Sequence, residues 1–383
     1  MIHTNSSAAG KGASSTLELI RNSRERLRQR IADKIKFADP YVLFHDKGLI
    51  YPNTINLIQG KTGSHKSRLV ELICVILLAR NPELVERISW VRRGSSTQKF
   101  RVVYIDTERN ERDQLPYALQ QIQLKAGYKK NEKPENFDYF SFIQVPRMER
   151  HQALEDYLRL ELNAKSDEAV VVVLDVITDC VSNFNDSADS MQLLDFLNMQ
   201  ISQHNITFIC VIHENPTGGD KPRGHVGTEL QNKSSSQLQI GYEQDAGKRD
   251  TELIRVSTLK NRVNAKQPPV YLRYDVHERG LVLAEDALIQ QTIDSRRTKV
   301  PAADLLDFLK ENLREPMSSA DLIVMIKKHF GCSRGTAFDR IKELLLDGNR
   351  QLIAANVTGP RLEKIPHGKK ELYHLVFPGV FEE

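Results

Sequence analysis

The sequence predicts an α/β protein built on a mostly parallel sheet with helices on both faces, followed by a small unit of three helices and a hairpin. Three observations predict it. Five apolar segments, TINLIQ, RVVYID, YFSFIQV, VVVVLD and ITFICVI, are separated by stretches that suit helical crossovers. A glycine-containing loop joins the first of them to an apolar helix. Beyond residue 300, apolar residues recur at helical spacing in three segments before a last pair of extended ones.

Composition narrows the class. The 383 residues are 40% hydrophobic and 27% charged, an ordinary globular balance that excludes wholesale disorder. The longest apolar runs, residues 72 to 79 and 169 to 174, fall short of the roughly 20 that span a bilayer. The first residues are polar, without an apolar signal core, so a cytoplasmic protein with no membrane partner is expected. Lys and Arg number 54 against 50 acids, a net charge of +4 that does not by itself demand a polyanionic partner. The four cysteines are scattered and form no CxxC pair, which fits a reducing compartment and speaks against zinc.

Along the chain, residues 1 to 40 are read as a mobile Ser/Gly/Ala-rich start of about 16 residues and a basic helix over 17 to 36. Leu17, Ile20, Leu27 and Ile31 make a thin apolar stripe on that helix. Residues 41 to 288 hold the α/β core, whose pattern shortens after Ile212 into alternating strands (QLQIGYE, ELIRVST, VYLRYD), as if hairpins extend one edge. A polar stretch over 289 to 300 reads as a linker, and 301 to 383 as a separate unit. There PAADLLDFLKENL, SSADLIVMIKKHF and SRGTAFDRIKELLLDG are helices, and LIAANVTGPRLEKI with KKELYHLVF a hairpin, which is the winged-helix order. The segment NPELVERISWVRRGSSTQK looks like an insertion to which the sequence assigns no role.

The strongest chemical signal is INLIQGKTGSHKS, a strand, a loop and a helix start. In such a loop, backbone N–H groups cradle phosphate oxygens and the helix N-terminus adds positive potential. Gly60, Lys61, Thr62, Gly63, Ser64, His65, Lys66, Ser67 and Arg68 form the candidate nucleotide-binding set. Lys66 would reach the β- and γ-phosphates of ATP, and the Ser67 hydroxyl would bind Mg²⁺. His65 stands where the usual pattern has a second glycine, which puts the loop's backbone angles in question. Read blandly, the same stretch is a polar turn between core elements.

Other residues gather around this loop in the order of the strands. RVVYIDTERN ends in acids, of which Glu108 is either a water-activating carboxylate or a solvated charge. Asp175 closes VVVVLD, where a buried carboxylate needs a compensating charge such as Mg²⁺, unless it caps the next helix. Asp179 is a second acid for the same shell. The strand ITFICVI leads to His213, and the long loop ENPTGGDKPRGHVGTELQNKSSS follows. Lys221, Arg223 and Lys233 in that loop suit phosphate contacts with DNA, or merely solvate a mobile segment. Lys260 and Arg262 are spaced so that both point one way on an extended segment, a cationic pair or a basic turn.

Taken together, GKTGSHKS, YIDTE, VVVVLD, His213, RGHVGTELQ and LKNR resemble the RecA-like ATPases of the RepA and DnaB hexameric helicase group over roughly residues 50 to 285. The resemblance implies an ATP hydrolase with ATP and Mg²⁺ at subunit interfaces. It casts Lys66, Glu108, His213, Lys260 and Arg262 in catalysis, with Glu108 polarising the attacking water and His213 sensing the γ-phosphate. Ser67 and Asp175 would serve the metal, and Lys260 and Arg262 would act as a finger on the neighbouring subunit. A homo-oligomer, by this resemblance a hexamer, with single-stranded DNA in its channel is implied. The RepA-like ATPases of plasmids and mobile elements are the nearest in kind, since no primase-binding domain precedes the core, and the basic helix is expected to pack on an adjacent protomer.

The winged-helix unit offers a second DNA contact, with duplex. Ser333 is expected to cap the third helix, with Arg334, Thr336 and Arg340 near its exposed start and Arg361, Lys364, Lys369 and Lys370 on the wing. Such modules also dock proteins. The reading is therefore a DNA-associated ATPase, a helicase or translocase of a plasmid-like element. The alternatives are an ATP-switched assembly factor for recombination or transposition, and a winged-helix transcription regulator with an inactive phosphate loop.

Overall fold

The computed structural model describes residues 8–85, 88–95, 98–162, 168–216, 220–245, 247–297, 300, 302–353, 360–367 and 370–377. The chain begins with helix α1 (Ala8–Ala32) and strands β1 (Val42–Phe44) and β2 (Lys47–Ile50). Then come β3 (Ile55–Gly60), α2 (Lys66–Leu78), β4 (Val91–Arg93), β5 (Phe100–Asp106), α3 (Gln114–Lys125) and β6 (Phe137–Ser141). The crossovers continue through α4 (Arg150–Leu160), β7 (Ala169–Asp175), α5 (Ser187–His204), β8 (Ile206–His213) and α6 (Gly224–Lys233). A meander of β9 (Ser236–Gln244), β10 (Asp250–Asn261), β11 (Val270–Asp275) and β12 (Gly280–Leu283) leads to α7 (Asp286–Arg297). The last elements are α8 (Ala302–Asn312), β13 (Met317–Ser318), α9 (Ser319–Phe330), α10 (Arg334–Ile353), β14 (Arg361–His367) and β15 (Lys370–Val376).

Among the described residues, nine strands form the central sheet in the order β12-β11-β10-β9-β3-β8-β7-β5-β6. From β6 to β9 neighbours run parallel, and from β9 to β12 antiparallel. This is the mostly parallel core that the strand rhythm predicts, with hairpins extending one edge. The central strands β3, β5, β7 and β8 are buried on both faces, so they read as continuous apolar runs. One apolar core packs α2 and α3 on one face, and a second packs α4, α5 and α6 on the other. From Val300 onward a third core joins α8, α9 and α10 to a three-stranded sheet ordered β13-β15-β14, the element order of a winged helix. No helix among the described residues is long and apolar enough to cross a membrane.

Several elements differ from the sequence reading. Helix α1 starts at Ala8, inside the stretch expected to be mobile, and residues 1 to 7 lie outside the described ones. Residues 289 to 297, expected as linker, continue helix α7, which buries Thr292. The loop expected over 214 to 236 is shorter, because Val226 and Leu230, four apart, bury one face of α6. The insertion places β4 beside β1 in a small sheet, with Trp90 only 4% exposed. Helix α10 runs past Gly348 to Ile353, so the hairpin's first strand starts at Arg361 rather than at Leu352.

Candidate functional site

Strand register gathers the chemistry at one edge of the sheet. Gly60 pairs with His213, Asp175 with Val211, and Asp106 with Asp175. The ends of β3, β5, β7 and β8 therefore open together, at the carboxyl edge where α/β sheets hold ligands.

The loop from β3 to α2 is shaped by contacts that only certain residues permit. A Cβ on Gly60 would stand 2.2 Å from the Ile240 carbonyl oxygen, so glycine lets β9 pass this close. His65 carries φ 65°, in the left-handed region that glycine would take freely. Its ring is held instead: Nε2 lies 2.6 Å from Tyr242 Oη, and the imidazole stacks on Tyr274. Burial, then Arg68, lowers the His65 pKa below its ordinary range.

No side chain caps α2, which leaves its first-turn N–H groups for an anion. Lys66 is 6% exposed and its Nζ donates to the Lys61 carbonyl at 2.7 Å. Burial lowers the Lys66 pKa, while Asp175, Glu108 and Glu214 pull it up. Ser64 Oγ is buried without a partner. So is Asp175 Oδ1, while Asp175 Oδ2 accepts from Tyr104 Oη at 2.7 Å.

These atoms fit a nucleotide with Mg²⁺. Among the described residues no three His, Cys, Asp or Glu cluster as a metal site, so a cation here would need oxygens from elsewhere. A Mg²⁺ ion would draw most of them from phosphates and water, and Ser67 and Asp175 are the residues that would hold it. Asp179 does not join them, since it pairs with Arg147 at 2.7 Å.

Glu108 is half exposed, and His213 Nε2 lies 3.4 Å from its Oε1. The hydrogen bond from His213 holds the Glu108 pKa below the usual carboxylate range, with Lys66 and Arg109 helping against burial. Beside His213, Glu214 is buried and accepts from Gln59 Nε2 at 2.8 Å and Gln239 Nε2 at 2.7 Å. Gln239 also donates to Asp220, so Glu214 and Asp220 rest on one buried amide.

The basic residues separate into groups. Lys221 and Arg223 lie on the turn after β8, with Arg223 over the Phe184 ring at 4.7 Å. Lys233 sits at the other end of the 10-residue α6, about 15 Å away at 1.5 Å per residue. Lys260, near the end of β10, and Arg262, just past it, lie at the opposite edge of the sheet, because Asn261 pairs with Ser236 and Ser236 with Asn56. There Lys260 donates to Gln231 O at 2.6 Å and Arg262 to Asn232 O at 2.7 Å, capping the C-terminus of α6. They cannot serve the loop of their own chain.

In the last unit, Ser333 Oγ accepts from the Thr336 backbone N–H at 3.1 Å, the cap the sequence suggests. Arg334 is exposed at the helix start, Thr336 bonds Ser333, and Arg340 is half-buried in a pair with Glu343. Lys369 lies outside the described residues.

Sequence reasoning missed the partners. Glu71, an acid on the apolar helix KSRLVELICVILL, signals a buried ion pair, and Arg109 supplies it at 2.7 Å. Gln59, Gln237 and Gln239 interrupt apolar strands and could have been read as a network. Tyr242 and Tyr274 carry no local signal. Arg68, Arg109, Asp113 and Tyr117 border an open cavity of ≈ 510 Å³ beside the start of α2.

No family model matches the chain, and no curated protein does. Among solved structures it is similar to the RadB recombinase, with 18% identity and a TM-score of 0.41, over 62% of this chain and 93% of that one.

Proposed function

We propose that the chain is a DNA-associated ATPase that works as an oligomeric, RepA-like helicase or translocase in replication or mobilisation of a plasmid-like element. The observation that carries the ATPase reading is the partnerless, buried Oδ1 of Asp175 at the same sheet edge as Lys66 and the uncapped α2. A buried carboxylate oxygen with no partner is unfavourable unless something charged arrives to meet it.

In this reading the residues Gly60 to Arg68 hold the triphosphate, and Lys66 exchanges the Lys61 carbonyl for phosphate oxygens. Mg²⁺, held by Ser67 and Asp175, supplies charge neutralisation of those oxygens. Glu108 orients and deprotonates the attacking water, and His213, in contact with Glu108, registers whether the γ-phosphate is present. Tyr117 offers a flat face to the base. Lys260 and Arg262 leave the α6 carbonyls to reach a neighbour's phosphates, so the active form is a ring or filament, a hexamer by resemblance. Single-stranded DNA meets Lys221 and Arg223, with Lys233 further off, while Arg334, Thr336, Arg340 and Lys369 bind duplex through a winged-helix domain over 301 to 383. Helix α1, whose Leu17, Ile20, Leu27 and Ile31 are exposed, packs on the adjacent protomer; removing residues 1 to 40 leaves a monomer by light scattering if so.

A second reading, a nucleotide-switched assembly factor, draws support from the clamped His65, which takes freedom from the loop. Hydrolysis of ATP with and without single-stranded DNA, beside Lys66→Ala, tests both. Strong DNA stimulation lost in the variant supports the motor. Slow turnover with nucleotide-dependent assembly supports the switch, and no ATP binding at all sinks both.

A further inference from the structure

Three buried carboxylates behind the phosphate loop converge on one guanidinium. Glu71 on α2, Asp106 at the end of β5 and Asp175 at the end of β7 are 7%, 1% and 2% exposed, and Arg109 meets all three. Arg109 Nη1 donates to Glu71 Oε1 at 2.7 Å and Nε to Asp106 Oδ2 at 2.6 Å. Nη2 donates to Tyr104 Oη at 2.7 Å and reaches Asp175 Oδ2 at 3.4 Å. Arg68 takes the other oxygen of Glu71.

Two consequences follow for the candidate site. Tyr104 and Arg109 occupy Oδ2 of Asp175, so Oδ1 is the oxygen left without a partner. Asp106 Oδ1 accepts from the backbone N–H of both Glu108 and Arg109, while its Oδ2 takes the guanidinium. The turn is thereby locked with Arg109 directed into the fold and Glu108 directed to His213 and Lys66. A lysine would supply the charge but not the planar set of donors that reaches three elements at once.

We propose that Arg109 is a positioning residue for ATP hydrolysis, one that acts through Asp175 and Glu108 by setting which oxygen of the first and which direction of the second face the loop. This rests on the ATPase reading above. It differs from a counter-ion that merely allows three acids to be buried.

The test uses the full chain: wild type, Arg109→Lys, and the triple variant Arg109→Met with Glu71→Gln and Asp106→Asn. The triple variant removes the guanidinium together with two of its acids, which spares the fold an excess of buried charge, and it keeps Asp175 and Glu108. Melting temperature, kcat and KM for ATP, and binding of a fluorescent ATP analogue with EDTA or with Mg²⁺ are measured. Both variants are expected to fold, to bind the analogue in EDTA as wild type does, to lose the gain in affinity from Mg²⁺, and to drop in kcat by about 10- to 100-fold. Variants that turn over like an active wild type overturn the positioning role alone. Loss of folding in both variants overturns it in favour of a purely structural counter-ion. A wild type that neither binds nor hydrolyses ATP overturns the ATPase reading, and this inference with it.

Discussion

The imidazole of His65 lies flat on the ring of Tyr274, with centroids 5.3 Å apart and planes 7° from parallel. Tyr242 closes the other side through its hydroxyl at 2.6 Å. A left-handed backbone disfavours a side chain by about 1–2 kcal/mol, and these two contacts from β9 and β11 offset it. Tyr242→Phe is expected to lower stability by about 0.5–1.5 kcal/mol in wild type. In a His65→Gly background the same change should do little. A double-mutant cycle by urea unfolding measures the coupling, and additive effects would remove the clamp from the account.

Glu108 and His213 make the second prediction. Glu108→Gln should reduce turnover by about 10²- to 10⁴-fold while the affinity for nucleotide stays near wild type. His213→Ala removes the leading cause of the low Glu108 pKa, leaving Lys66 and Arg109 to oppose burial. The carboxylate then picks up its proton at a higher pH, so the acid limb of the kcat profile moves upward. A limb that does not move would separate the pair functionally.

Glu214 is buried and anchors two glutamine amides. Glu214→Ala should destabilise the fold by about 1.5–3 kcal/mol, since hydrogen bonds to a charged acceptor are lost and both donors stay buried. Chemical denaturation with an unchanged m-value would measure it.

His151 gives a pH dependence of stability. Its ring stacks on Phe196 at 4.9 Å and its Nε2 is buried without a partner. Burial lowers its pKa from the ordinary 6.5, against Cys180 and Asp189. The unfolded chain therefore binds a proton that the folded chain refuses. Stability is full above about pH 6.5 and falls as pH drops from there toward the lower folded value. Urea midpoints at pH 8 and 5.5 should show the loss in wild type and less of it in His151→Phe. Because His65 shifts the same way, part of the slope should remain.

The loop and the strand ends were legible because their signals are local: a glycine loop between a strand and a helix, and acids or a histidine closing apolar runs. Their assembly was not. His213 and Glu108 are 105 residues apart, and register alone brings them to 3.4 Å. The linker at 289 to 297 and the loop at 224 to 233 were misread because polar residues on one face hid an amphipathic helix whose apolar face is narrow.

By itself the sequence determined the layers, their order along the chain and the glycine-containing loop of residues 60 to 68 between a strand and a helix, since side-chain period and loop glycine act over a few residues. Tertiary structure decided which oxygen of Asp175 stays open, what holds His65, and that Arg109 ties Glu71 to Asp175. Those partners stand 38 and 66 residues from Arg109, and Tyr242 stands 177 from His65. A buried polar group takes whichever partner the strand order delivers, and strand order is a property of the packed sheet.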